Sequence, residues 1–139
     1  MVTIADELIE TLKSHEFSLT VKDVREPYAT KQPVYPMIVV EEITNRPDVQ
    51  IHGEEILSTI AYRFEIYARD LSENGEVYTK RQVNTKLGKE LDQLLTKTYG
   101  LKRIGDTVNL PDVTDGTILR YVVTYGGVID NRTMIIYQN

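Results

Sequence analysis

One stretch near the middle of the chain constrains the fold more than any other. Between residues 57 and 69, apolar and polar side chains alternate. The apolar set is Ile60, Tyr62, Phe64, Ile66 and Ala68, and the other set is Thr59, Arg63, Glu65, Tyr67 and Arg69. A period of two is typical of a strand with one buried face and one polar face. Because the stretch exceeds the usual strand length of about 5–6 residues, we expect it to lie centrally in a sheet.

Two segments have the periodicity of amphipathic helices. Residues 3–15 begin with Thr3 as a predicted N-cap, and residues 76–98 end before Gly100, which suits a left-handed C-terminal turn. Their apolar positions are Ile4, Leu8 and Leu12 in the first helix, and Val83, Leu87, Leu91, Leu94, Leu95 and Thr98 in the second. Each helix therefore has one face that must pack against another element.

The remaining elements are shorter. Further strands are predicted over residues 17–22, 37–43, 119–125 and 133–137. Residues 101–110 indicate a short strand and a polar turn that ends at Pro111, and Gly126 and Gly127 indicate a bulge or a bend. The proline-containing residues 24–36 indicate a loop or an edge segment, and residues 44–56 indicate a long connecting loop. The order predicts one α+β domain over residues 1–139. Its sheet is mostly antiparallel, both helices pack on one face, and a β-hairpin ends the chain.

Composition excludes several kinds of chemistry. The 139 residues contain no cysteine and only two histidines, His15 and His52. Disulfides, zinc fingers and thiol nucleophiles are excluded, and so is a three-histidine metal site within one chain. His52 and Glu54 match the first half of a zinc deaminase pattern, whose cysteines are missing. The sequence predicts neither a metal nor another cofactor.

No catalytic motif is complete. Gly88 and Lys89 lack the other residues of a phosphate-binding loop, and Gly126 and Gly127 are not followed by a helix. No serine lies in a nucleophile elbow. A pair of acids acting as in glycoside hydrolases stays open, because many acids are present and nothing singles out two of them. We expect a protein that is not an enzyme, with a small α+β enzyme as the less favoured alternative.

Neither end of the chain predicts a membrane segment. No run approaches the roughly 20 apolar residues that span a bilayer. The first residues carry Asp6 and Glu7 where a signal peptide is basic and then apolar. We therefore expect no membrane partner, and location in a reducing cytoplasm or in a particle assembled there.

Charge is divided along the chain. Residues 1–73 carry 7 basic and 14 acidic side chains, residues 74–105 carry 7 and 3, and residues 106–139 carry 2 and 4. This division describes either a solvated surface or copies that associate acidic face to basic face. The basic segment is too poor in aromatics to indicate dedicated nucleic-acid binding. The predicted interface residues are Arg63, Glu65, Tyr67, Arg69, Tyr28, Tyr35, His52, Lys80 and Arg81.

The order of elements resembles a known family. Its parts are the first helix, the segment Tyr35-Pro36-Met37-Ile38-Val39-Val40, a long loop, the strand from Ile60 to Asp70, the second helix, the strand from Arg120 to Tyr125 and a hairpin ending Ile135-Ile136-Tyr137. This layout resembles the tail-terminator, or tail-completion, proteins of long-tailed bacteriophages and related prophages. Head-closure and minor capsid proteins have similar sizes, so those connector positions stay open as alternatives.

The resemblance implies a structural function. Members of the family form hexameric rings that cap the tail tube and offer a surface to the head-side connector, and the genome passes through the ring. The expected partners are thus further copies of this chain, the tail tube protein and the head-side connector protein. The expected location is the head–tail junction of a virion assembled in the host cytoplasm.

Overall fold

The protein is an α+β domain with a mostly antiparallel sheet, as the sequence predicts. A computed structural model describes residues 4–51, 54–133 and 136–137. Its helices are α1 (Ala5–Ser14) and α2 (Lys80–Thr98). Its strands are β1 (Asp23–Arg25), β2 (Met37–Ile51), β3 (Glu54–Ala68), β4 (Leu71–Glu73), β5 (Glu76–Tyr78), β6 (Lys102–Pro111), β7 (Leu119–Asp130) and β8 (Ile136–Tyr137).

The long alternating strand, β3, lies at the centre of the main sheet. The strand order is β1-β2-β3-β7-β6, and β8 pairs with the far end of β7. All pairings are antiparallel except the parallel contact between β1 and β2. The register between β3 and β7 is continuous from Leu57 opposite Asp130 to Ala68 opposite Leu119. The predicted C-terminal hairpin is present, with β8 shorter than the predicted strand, of which residues 134 and 135 lie outside the described residues.

Both helices pack on one face of the sheet, and their predicted stripes largely form the core. In α1 the residues Ile4, Leu8 and Leu12 are buried, as are Val83, Leu87, Leu91 and Leu95 in α2. Leu94 is partly buried and Thr98 is exposed. The buried phenol of Tyr62 joins α1 to the sheet: it accepts from the Ile4 amide at 3.2 Å and donates to Glu42 at 2.7 Å. Neither described helix is long and apolar enough to cross a bilayer.

The ends of the helices differ in part from the sequence prediction. Helix α1 begins after Ile4, without a side-chain cap, and Thr3 lies outside the described residues. Helix α2 begins after Thr79, which forms a capping box with Gln82, whereas residues 76–78 form strand β5. Gly100 ends α2 with φ +68°, as predicted.

Gly88 marks a close contact between α2 and the sheet. A Cβ there would lie 3.1 Å from the ring of Tyr121 on β7. The glycine thus makes room for an aromatic side chain, which offsets its cost of about 1 kcal/mol inside a helix.

The predicted loop over residues 44–56 is wrong. Strand β2 continues to Ile51, and β3 begins at Glu54, so the described part of the segment lies in two paired strands, and residues 52 and 53 lie outside the described residues. Register shifts between Glu42 and Thr44 and after Pro47 accommodate the irregular sequence. Pro47 fits this strand because, in the described part of the chain, no strand pairs with the outer side of β2 beyond Val39. A proline without an N–H is tolerated at such an edge.

The predicted strand over residues 17–22 is also wrong, although its alternating apolar residues do pack on the core. Carboxylates replace a neighbouring strand as hydrogen-bond partners. The Ser18 amide donates to Glu90 at 2.8 Å, and the Thr20 amide donates to Glu73 at 3.2 Å. These side-chain acceptors satisfy the amides of Ser18 and Thr20 without a strand ladder. The edge strand, β1, comes later, at Asp23–Arg25.

The predicted bulge at Gly126 and Gly127 is not present in the ladder with β3, where both residues keep the register. The polar turn predicted within residues 101–110 is wrong, because β6 runs as one strand over Lys102–Pro111. An irregularity in its pairing with β7 lies between Ile104 and Val108. Gly105 has φ +74° there, which suits a residue without a Cβ.

Candidate functional site

The sheet has a second face that no described helix covers, here called the open face. Its side chains form rows across the strands. One row runs from Ile104 through Thr124 and Arg63 to Glu41, and the next runs from Val108 through Val122 and Glu65 to Val39. A third runs from Leu110 through Arg120 and Tyr67 to Met37. Polar residues thus occupy the middle of this face, between apolar residues on β2 and β6.

The loop between β1 and β2 covers the β2 side of the open face. Arg25 holds this loop in place: its guanidinium pairs with Asp23 and donates to the carbonyls of Lys31 and Gln32 at 2.9 and 3.1 Å. Under the loop, Met37 and Val39 are only 7% and 9% exposed. Between the loop and the sheet lies a groove of about 490 Å³.

An ion-pair network lies along the floor of the groove. Arg63 pairs with Glu41 on β2, and its Nε lies 3.6 Å from Glu65. Glu65 also faces Arg120 at 3.9 Å and accepts a hydrogen bond from the Tyr67 hydroxyl at 2.8 Å. The neighbours Glu41 and Glu42 therefore point to opposite faces, since Glu42 binds Tyr62 on the helix side. This agrees with the alternation expected along a strand.

The charges that line the groove balance. Its basic residues are Arg25, Lys31, Arg63 and Arg120, and its acidic residues are Glu26, Glu41, Glu65 and Asp112. Ion pairs within this set satisfy several of these groups inside the chain. A balanced, internally paired surface lacks the basic excess that attracts phosphates.

Tyr67 has a strongly perturbed phenol. Burial, followed by the hydrogen bond to Glu65, raises the pKa of Tyr67 to about 12. An unfolded tyrosine titrates near pH 10. Because the pKa of Tyr67 is higher in the folded than in the unfolded chain, the protonated Tyr67 phenol stabilises the folded state. This stabilisation is complete below pH 10 and is lost as the pH rises through about 12.

We expect Tyr67→Phe to flatten the alkaline side of the stability profile. The variant lacks the phenol that ionises more readily after unfolding, so its free energy of unfolding should fall less steeply between pH 10 and 12. Urea denaturation at a series of pH values measures the two slopes. Equal slopes for wild type and variant would contradict the assignment.

Five of the predicted interface residues lie at this groove: Tyr28, Tyr35, Arg63, Glu65 and Tyr67. Tyr28 is 96% exposed and has a positive φ of 65°, which is uncommon for a tyrosine. Arg69 lies beside them, since its guanidinium stacks 4.6 Å from the Tyr35 ring centre and pairs with Asp115 at 2.7 Å. The hydroxyl and amide of Thr117 and then Arg69 lower the pKa of Asp115 to about 2.

The other predicted interface residues lie elsewhere. Lys80 and Arg81 are in the first turn of α2, the helix on the opposite face of the sheet, where the Lys80 amide donates to Asp70. His52 is outside the described residues. An interface role for all nine residues stays a prediction.

Strand β6 carries an apolar stripe that was not predicted from the sequence. Ile104, Val108 and Leu110, here called the β6 stripe, face the open side and are 51%, 41% and 44% exposed. Nothing in the described ranges covers them, unlike Met37 and Val39 on β2. The alternation of Val108 and Leu110 was a usable signal for a strand. Gly105 and Asp106, which lie between Ile104 and Val108, suggested a turn instead. In the groove, the positions of Arg25, Glu41 and Arg120 were likewise not predicted from the sequence.

Among the residues that the structure describes, no three histidine, aspartate or glutamate side chains are grouped to hold a metal ion. The chain matches no protein-family model, and no curated protein sequence matches it.

Proposed function

We propose that this chain is a structural ring subunit that terminates the tail of a long-tailed bacteriophage. The subunit assembles with further copies, in a hexamer, on the end of the tail tube, stops its polymerisation and offers a surface to the head-side connector protein. The ring lies at the head–tail junction of the virion, after assembly in the host cytoplasm. The genome passes through it without specific binding, and the subunit performs no catalysis.

The β6 stripe carries this proposal. Three large apolar side chains in one line, each more than two-fifths exposed, mark a surface that associates with protein. The stripe belongs to an edge strand in which all ten residues are exposed. The subunit thus offers a continuous docking surface at one side of the sheet.

Two further observations support it. The two sides of the main sheet differ in sequence and charge, and non-identical patches join copies head to tail, which closes into a ring when the rotation fits. The element order that resembles tail terminators also persists in α1, β3, α2 and β7. The paired strands over residues 44–51 and 54–56 depart from the long loop in that layout.

Tail assembly in vitro tests the function. If a gene beside this chain's gene encodes a tail tube protein, that protein is polymerised with and without the purified chain. We expect tubes that stop growing and carry a ring at one end in electron micrographs. Unrestricted tube growth with no bound protein contradicts the proposal. Association with mature heads, and not with headless tails, would instead favour a head-closure or minor capsid role.

A further inference from the structure

The two outer sides of the main sheet have opposite charge at the same level. Strand β6 begins with the exposed basic residues Lys102 and Arg103, next to the β6 stripe. On the other side, the outer edge of β2 carries the exposed Glu42 and the 46% exposed Ile43, next to Glu41, which pairs with Arg63 of its own chain. Each side therefore combines an exposed isoleucine with charges that complement those of the other side.

The register of the sheet places these groups in the same rows. Arg103 lies in the row that runs through Tyr125 and Tyr62 to Glu42. Ile104 lies in the row that ends at Glu41. Copies in a closed ring have no rise from one to the next, so a ring axis along the strands brings equal levels together. Arg103 of one copy then faces Glu42 of the next, and Ile104 approaches Ile43.

A contact of β6 with itself fits less well. A two-fold axis through an antiparallel pair of β6 strands would bring the central Asp106 of one copy against Asp106 of the other. Like charges directly opposite one another are destabilising. In that register Lys102 and Arg103 would also meet Leu110 and Asn109, which offer no acid.

We propose that β6 of one copy docks against the outer edge of β2 at Glu41–Ile43 of a second copy, through side chains. The bulge at Gly105 and the proline at 111 interrupt the row of outward backbone amides, so the contact is not a continuous extension of the sheet. The inference rests on the proposed function, because both require copies of the chain to associate. It adds which two surfaces, β6 and the outer edge of β2, meet between neighbouring copies.

Cysteine crosslinking tests the contact without background, because the chain has no cysteine. The test variant carries Ile43→Cys and Ile104→Cys at two exposed positions. The matched control carries Ile43→Cys and Leu110→Cys, since Leu110 lies four residues along the sheet from the level of Ile104. That separation is about 13 Å at ~3.3 Å per residue. A short thiol-specific crosslinker is added to each purified protein.

We expect the test variant to give a ladder of covalent oligomers that ends at the ring size, and the control to remain mostly monomeric. Dimers from Ile104→Cys alone, a ladder only in the control, or no covalent oligomer in any variant would each overturn the inference. Circular dichroism verifies that every variant is folded.

A charge test measures the same contact by sedimentation. Lys102→Glu with Arg103→Glu should shift the oligomer toward monomer, whereas Lys86→Glu with Lys89→Glu at exposed positions on α2 should leave the distribution unchanged. An equal loss in both pairs overturns the inference. Crosslinked rings that fail to bind tail tubes would refute the proposed function and leave this contact intact. Capped tubes without a ladder of oligomers crosslinked between Ile43→Cys and Ile104→Cys would refute this contact and leave the proposed function intact.

Discussion

Replacing Phe64 with alanine should lower the free energy of unfolding by about 3–5 kcal/mol, the usual cost of deleting a buried phenylalanine ring. Phe64 is fully buried on the helix face of β3 and packs edge-on against Tyr125 at 5.8 Å between ring centres. Its row neighbours are Val40 and Val123, which are also buried. Since small domains are stable by only about 5–15 kcal/mol, a large part of the folded-state stability is lost.

Urea denaturation followed by circular dichroism measures this loss. Val77→Ala is the matched control, because Val77 is apolar but 77% exposed on β5. We expect the control to change the free energy of unfolding by less than about 0.5 kcal/mol. A Phe64→Ala cost below 1.5 kcal/mol, far under the usual range, would contradict the central position of this ring.

Replacing Arg63 with glutamate should lower the free energy of unfolding by about 2–3 kcal/mol, between the values for exposed and buried ion pairs. The reversal places a third carboxylate between Glu41 and Glu65, both of which Arg63 pairs with in the groove. The Glu65 side chain is only 13% exposed, so solvent screens the repulsion weakly.

Two variants distinguish charge from volume at this position. Arg63→Met removes the charge but retains an unbranched apolar stem, and should cost less than Arg63→Glu. The swapped variant Glu41→Arg with Arg63→Glu restores one pair, and should recover part of the loss. Thermal and urea denaturation measure all three, and raising the salt concentration should reduce the differences. No recovery in the swapped variant would contradict the pairing with Glu41.

The elements with the clearest periodicity were predicted correctly. The alternation in β3 and the four-residue spacing of Leu87, Leu91 and Leu95 each specify one buried face by themselves. Because that spacing indicates burial of the helix stripe against a sheet, the α+β class and the face covered by the helices followed from it. Gly100 marked the end of α2 for a local reason, since its positive φ suits a residue without a Cβ.

The errors arose where the hydrogen-bond partners of a segment's backbone lie outside that segment's own sequence pattern. Residues 17–22 alternate like a strand, yet Glu90 and Glu73 supply their hydrogen-bond partners from elements more than 50 residues away. Residues 44–56 contain Pro47 and Gly53 and suggest a loop, but pairing within the β2–β3 hairpin holds the described parts of them in strands.

The groove illustrates the same division. The sequence predicted a polar face with Arg63, Glu65 and Tyr67, because alternation along one strand depends only on the chain itself. The partners of those residues depend on register, which brings Glu41 beside Arg63 and Arg120 beside Tyr67.

The sequence by itself determined a cysteine-free α+β domain with a central alternating strand, two amphipathic helices and a division of charge along the chain. Only the tertiary structure decided that β6 and the outer edge of β2 lie at opposite sides of one sheet, at matching levels. It also decided that the loop after β1 covers Met37 and Val39 while the β6 stripe stays exposed. The physical reason is that periodicity records which face of an element is buried, whereas strand order and loop coverage come from long-range pairing.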